Sequence, residues 1–244
     1  MPTVAELTAA YGNVLLSPHR GEGVCRICFN LTEGYEHCYA CVHGGRRLDV
    51  VAPISYSVAG EQLHHALVSY KRGPQPAATE LGLQLAAVLW RFLAGHERCV
   101  ARSLGVSAIP LVTTVPSNDP ARDDEHPLHG LVQHTVKPTS ERFRRLLRRT
   151  DRPARPHEFC DERYAATAPL DGEPVLLIDD TWTTGANAQS AAAALKLAGA
   201  GPVAAVVIGR HLNRRWGPND TRLNGLPTPF DWTRCVICRP SDPV

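Results

Sequence analysis

An apolar run closing on paired acids, V-L-L-I-D-D at 175–180, is followed by a Thr/Gly loop, T-W-T-T-G at 181–185, and an Ala-rich stretch. Four consecutive apolar residues without alternation suit a strand buried on both faces of a parallel sheet. Ligands of open α/β sheets bind beyond the carboxyl ends of the strands, which is where Asp179 and Asp180 fall. Thr181, Thr183, Thr184, Gly185, Ala186 and Asn187 then bring hydroxyls and backbone N–H groups to the start of a helix, a cradle for a phosphate dianion. Two carboxylates beside such a cradle match a sugar phosphate, the acids taking ribose hydroxyls and the loop the 5′-phosphate. A lone Asp or a lone Thr-Gly would mark only the start of a Rossmann-like unit. Here strand, acids, loop and helix stand in series.

This stretch resembles the phosphoribosyl pyrophosphate (PRPP) motif of type I phosphoribosyltransferases along the whole of 175–187. Thr181 and Trp182 stand where small aliphatic residues are usual, and Asn187 stands where Thr is usual. Asn187 can still donate to a phosphate oxygen, and Trp182 is expected to reshape the sugar or base side of the pocket. The resemblance implies an α/β protein of the type I phosphoribosyltransferase fold, a central and mostly parallel sheet flanked by helices. Its ligand would be PRPP with Mg²⁺.

The chain has 244 residues, enough for one α/β core with a small appendage. Its net charge of +2 makes no global case for a nucleic-acid or membrane partner. No segment approaches the ~20 consecutive apolar residues of a membrane span, and 1–17 lacks the basic start and apolar core of a signal peptide. A cytoplasmic address is expected. Eight cysteines there are expected to serve as metal ligands, core residues or free thiols rather than disulfides.

Cys25, Cys28, Cys38 and Cys41 form C-x2-C-x9-C-x2-C. That spacing lets two tight turns present four thiolates to one tetrahedral Zn²⁺. The segment between the pairs is too poor in apolar residues to form a core, so the metal would supply much of its folding energy. Four thiolates leave no position for water, which makes the zinc structural. A third pair, Cys235 and Cys238, has several readings. It could form a second metal site with Cys160, His157 or His211, meet a copy in a homodimer, or replace one N-terminal pair. It could also pack as two small hydrophobes. Cys99 stands alone and reads as a core or helix-end residue.

A zinc-ribbon-like N-terminus ahead of a phosphoribosyltransferase-like body resembles the ComF family, which includes the GntX type, over roughly 25–209. The resemblance divides the chain into a zinc-bearing segment at 1–47, a core at 48–209 and an irregular tail at 210–244. The tail, rich in Pro, Asn, Arg and Trp, is the candidate for a base-binding hood or a second metal site. A Y-K-x-G, here Tyr70 to Gly73, recurs in that family, and charges completing a helix C-terminus are the favoured use of Lys71 and Arg72. The chain at 48–58 is β-rich, 61–70 is helical, and 77–94 is amphipathic with Leu81, Leu85, Val88, Leu89 and Phe92 inward. A strand over 108–115 leads to Pro116, Ser117 and Asn118. By the resemblance, this turn holds pyrophosphate through backbone donors and the Ser117 hydroxyl. An acidic stretch follows at 119–125, with Arg122 at the place of the family's arginine but without its glycine–aromatic pair. Three added acids beside a pyrophosphate site stand against ordinary catalysis, unless they hold Mg²⁺ or point outward.

The chain at 126–136 reads as a helix with Leu128, Leu131 and Val132 on one face, and 143–149 reads equally as strand or helix. An Arg-rich stretch then runs to Arg163. The family places there the loop that covers bound PRPP, excluding water and adding cationic groups; the competing reading is a basic face or nucleic-acid patch. A helix over 186–198 and a strand over 203–208 complete the core.

Two functions are carried forward. In the first, Asp179 and Asp180 orient the ribose, the Thr/Gly loop anchors the 5′-phosphate, and a nucleobase-type nitrogen displaces pyrophosphate from C1′. In the second, which the ComF resemblance implies, the protein is a non-catalytic PRPP- or nucleotide-binding accessory or keeps only a scaffold role, with single-stranded DNA or DNA-processing machinery as partner. An amidophosphoribosyltransferase is excluded, because no N-terminal nucleophilic cysteine is present and Cys25 belongs to a metal pair.

Overall fold

The computed structural model describes residues 2–117, 123 and 126–238. Asn118, Arg122 and the acidic stretch apart from Asp123 lie outside the described residues. Among these, the N-terminal segment carries α1 (Val4–Ala9) and α2 (Tyr39–His43). The core follows as β1 (Val50–Val58), α3 (Gln62–Arg72), α4 (Ala77–Ser103) and β2 (Leu111–Thr114). Then come α5 (Pro127–Gly130), α6 (Lys137–Ser140), β3 (Leu147–Arg149), β4 (Tyr164–Ala166), β5 (Val175–Trp182), α7 (Ala186–Leu197), β6 (Val203–Leu212) and α8 (Asn219–Asn224).

Four strands form one parallel sheet in the order β1-β6-β5-β2. The unbroken apolar run of β5 is explained by this placement, since helices cover both faces of a parallel sheet. Alternate residues of β5 serve opposite cores. Leu176 and Ile178 join the core built with α3 and α4, and Val175 and Leu177 join the one built with α7. The alanines of α7 let it lie close on the sheet, and Ala191, Ala192 and Ala194 are buried there.

Three elements differ from expectation in extent. Helix α4 continues past Ala94 to Ser103, because His96, Val100 and Ala101 prolong the buried face. Strand β6 continues past Ile208 to Leu212, with Ser55 opposite Gly209 and Val58 opposite Leu212 on β1. Gly209 permits that pairing, since a Cβ there would press on the Leu67 and Ser57 side chains. The helix at 126–136 breaks into α5 and a π-helical turn over Leu131–Thr135.

Of the ambiguous 143–149, the end is strand: β3 pairs antiparallel with β4, Leu147 opposite Ala166. No helix among the described residues is long and apolar enough to cross a membrane.

Candidate functional site

At the carboxyl end of the sheet, beside β5 and β2, lies a cleft of about 720 Å³. That volume falls within the ~300–1,000 Å³ of small-molecule sites. Asp179, Asp180, Thr181, Thr183, Thr184, Gly185, Ala186 and Asn187 line it, with Pro116, Ser117 and Arg163 from separate segments. Lys71, His126 and Arg149 also line it. They were not among the site residues read from the sequence.

The two acids are held differently. Asp180 is buried, accepts a 2.5 Å salt bridge from the Lys71 ammonium, and accepts a hydrogen bond from the Tyr70 hydroxyl. Burial alone would raise its carboxyl, but Lys71 and Tyr70 outweigh it and hold Asp180 below the usual carboxylate range. Tyr70 is itself pushed well above the ordinary phenol range, by burial first and then by Asp180. Asp179 accepts the Asp180 backbone N–H at 2.9 Å. Burial, then the Asp180 charge, push Asp179 up to about 7. At neutral pH the cleft therefore holds one carboxylate matched by a cation and one carboxyl close to its titration point.

Lys71 thus does more than complete the end of α3. Its head reaches across to β5, because α3 packs on β1 and β6 with its last turn at the carboxyl edge of the sheet.

A pH dependence follows. A carboxyl whose native value lies above its unfolded value holds its proton more tightly when folded. Stability then falls as pH rises from about 4 to about 7 and is level above that. Asp179→Asn is expected to raise Tm relative to wild type at pH 8 and to leave it unchanged at pH 4, read by differential scanning fluorimetry.

The Thr/Gly loop is shaped from beneath. Gly185 takes a left-handed conformation, φ 83°, as the N-cap of α7, and a Cβ there would overlap the Trp182 ring. Trp182 is buried under the loop and does not line the cleft. This corrects the expectation that it reshapes the pocket. The indole is instead the floor on which Gly185 turns. Gly185→Ala adds left-handed strain of about 1–2 kcal/mol to overpacking of about 1–3 kcal/mol. It is expected to lower Tm by several degrees in thermal unfolding.

The turn at Pro116 and Ser117 carries an unexpected occupant. Asp123 neither points outward nor stands apart for a metal. Its carboxylate accepts the Ser117 backbone N–H at 2.6 Å and the Arg145 guanidinium at 3.0 Å, and lies 3.3 Å from His129 Nε2. His129 Nδ1 in turn meets the Thr114 hydroxyl at the end of β2. The His126 imidazole, at the cleft wall, is lowered to about 4 by burial and is neutral at pH 7.

The β3–β4 connection folds over the other side. The Thr184 hydroxyl donates to the His157 carbonyl at 3.0 Å, and the Cys160 N–H donates to Ser190 on α7 at 3.0 Å. Arg163 is buried, and its Nη2 donates to the Arg155 and Glu158 carbonyls at 2.9 and 2.7 Å. Its Nε is buried without a hydrogen-bond partner. Arg163 is therefore a buried cation that braces the segment and also faces the cleft.

Cys25, Cys28, Cys38 and Cys41 converge, their sulfurs all within 4.8 Å of one another and all four residues buried. Cys28 and Cys38 sulfurs lie 3.6 Å apart, close to the ~3.8 Å edge of a tetrahedron with ~2.3 Å Zn–S bonds. The set could hold a structural metal such as zinc. Hydrogen bonding from Cys28, then Cys38 and Cys41, draws the Cys25 thiol far below its usual range, while the same contacts push Cys38 and Cys41 above theirs. Four crowded thiols cannot all ionise without a cation, and a divalent metal supplies one. Arg210 on β6 ties this cluster to the cleft. Its Nη2 donates to Cys28 Sγ at 3.7 Å and its Nε to the Cys28 carbonyl at 3.1 Å. Its Nη1 donates to the Trp182 carbonyl at 3.1 Å.

Cys235 and Cys238 do not meet Cys160, His157 or His211. His157 faces Thr184, Cys160 faces Ser190, and the His211 ring lies tilted beside that of His64. The pair lies instead with His96 and Cys99 of α4. The missed signal is H-x2-C at 96–99, two ligand types three apart on one helical face.

The chain matches no family model, no curated protein and no solved structure.

Proposed function

We propose that the cleft binds PRPP with Mg²⁺, and that the protein is a ComF-like phosphoribosyltransferase of the type I fold. The zinc-bearing segment at 1–47 and the tail at 210–244 would flank a catalytic core at 48–209. The observation that carries this reading is convergence. An ionised Asp180 with its lysine, the N-terminus of α7, the turn at Ser117 and the buried Arg163 all face one cleft.

In this reading Asp180 and Asp179 take the ribose hydroxyls and stabilise positive charge developing on the ring. The Thr183–Asn187 loop and the α7 N-terminus hold the 5′-phosphate, which fixes C1′. The C1′–O bond to pyrophosphate breaks as a nucleobase-type nitrogen bonds to C1′, and the acceptor's proton passes to solvent. Arg163 and Arg149 line the same cleft, and in this reading they meet the negative charge that builds on the departing pyrophosphate. Mg²⁺ accompanying the substrate would neutralise that leaving group.

The non-catalytic accessory reading is supported by one specific contact, the Asp123 carboxylate on the Ser117 N–H. A pyrophosphate must displace that carboxylate to use the amide. Calorimetric titration of Mg²⁺–PRPP, followed by a pyrophosphate-release screen with nucleobases, separates the two. Binding with release supports the enzyme. Binding without release, together with salt-sensitive single-stranded DNA binding weakened by reversing the exposed Arg152 and Arg155, supports the accessory. No binding of PRPP removes the enzyme and leaves the accessory as a nucleotide-binding or scaffold protein.

A further inference from the structure

We infer that His96, Cys99, Cys235 and Cys238 form a second structural zinc site, of one imidazole and three thiolates, that fastens the C-terminal tail to helix α4. The inference is independent of the phosphoribosyl reading and uses none of its residues.

Cys235 and Cys238 sulfurs lie 3.3 Å apart, Cys99 and Cys238 sulfurs 3.6 Å, and His96 Nδ1 lies 3.6 Å from Cys238 Sγ. All four ligand atoms lie within 4.8 Å of one another. These separations approach the ~3.8 Å edge expected for zinc–thiolate tetrahedra, and a closed set of four N and S ligands is the structural zinc pattern. His96 and Cys99 stand three apart on α4, so one helical face presents both.

The imidazole is oriented for the task. His96 is buried and its Nε2 lies 3.0 Å from the Trp232 carbonyl. A carbonyl can only accept, so Nε2 carries the proton and Nδ1 turns its lone pair toward the sulfurs. A ligating histidine characteristically gives its other N–H to such a partner. The Cys235–Cys238 turn is built in the same sense. The Cys238 N–H donates to the Cys235 carbonyl at 3.1 Å, and the Cys235 N–H donates to Cys238 Sγ at 3.3 Å. A donor on sulfur favours thiolate. Zn²⁺ entering this set displaces three thiol protons to solvent.

The tail needs such a fastening. After α8 it has no strand or helix among its described residues, yet Val236 and Ile237 are buried. Trp232 lies under the Arg91 guanidinium, and Arg20 Nε donates to the Val236 carbonyl at 2.9 Å. A metal joining Cys99 to Cys238 closes a chain separation of 139 residues, and clips across long separations constrain the unfolded chain most.

The test is zinc per chain, by inductively coupled plasma mass spectrometry on the full chain purified without chelator. Wild type should carry two, one for each cluster. Cys25→Ser/Cys28→Ser and Cys235→Ser/Cys238→Ser should each carry one. His96→Phe should lose the C-terminal zinc and gain tryptic cleavage after Arg234, whereas His96→Cys should keep the zinc and resist cleavage. A wild type with a single zinc that Cys25→Ser/Cys28→Ser removes overturns the inference. So does a His96→Phe protein that keeps two. A native mass lower by two hydrogen atoms, mapped to a Cys235–Cys238 disulfide, would mean a redox pair and also overturns it.

Discussion

Asp180→Asn is expected to weaken Mg²⁺–PRPP binding by at least about a hundredfold in calorimetric titration at pH 8. Two charge-assisted hydrogen bonds to ribose hydroxyls are worth about 1.5–3 kcal/mol each, and about 1.4 kcal/mol is tenfold in Kd. The amide leaves the shape of the cleft intact but cannot match Lys71, which then faces the ligand as an unbalanced cation. Lys71 lines the cleft and regains water there, so the stability lost should fall short of the ~3–5 kcal/mol of a broken fully buried pair. Tm measured on the same sample separates the two effects. Affinity within threefold of wild type would show that Asp180 does not touch the ligand and that its pairing with Lys71 and Tyr70 is purely structural.

Cys28→Ser should release the N-terminal zinc and carry the damage into the cleft. Structural zinc contributes about 10–16 kcal/mol to the folding of small finger peptides, and few apolar residues of this segment could replace it. The cluster shares a core with Trp182, and Arg210 joins Cys28 to the Trp182 carbonyl at the entrance of the Thr/Gly loop. Loss of zinc should therefore lower Tm and reduce PRPP affinity together. Arg210→Met, with zinc retained, isolates the link: it should weaken PRPP binding without altering the metal count of this site. If zinc is lost while affinity holds, the bridge through Arg210 carries nothing.

Local patterns were the legible ones. The determinants of β5, its acids, the Gly185 turn and α7 are consecutive, so strand, site and helix could be read together. The same holds for the paired C-x-x-C turns, whose spacing alone brings four sulfurs within range. Lys71 could touch a ligand, but a cation at a helix end reads first as a cap. Its partner lies on β5, and the neighbouring Tyr70–Asp180 bond spans 110 residues. Asp123 was ambiguous for a related reason, since an acid in a charged stretch shows no sign of which amide it will face.

The sequence by itself determined the α/β class, the acidic carboxyl end of β5 and the N-terminal cysteine set. Only the tertiary structure decided that Lys71 neutralises Asp180, that Trp182 lies beneath the loop, that Asp123 holds the Ser117 amide, and that Cys235 and Cys238 meet His96 and Cys99. Periodicity and spacing act over a few residues along the chain. Which distant side chains share a low-dielectric site is set by strand register and helix packing, and those are properties of the assembled sheet.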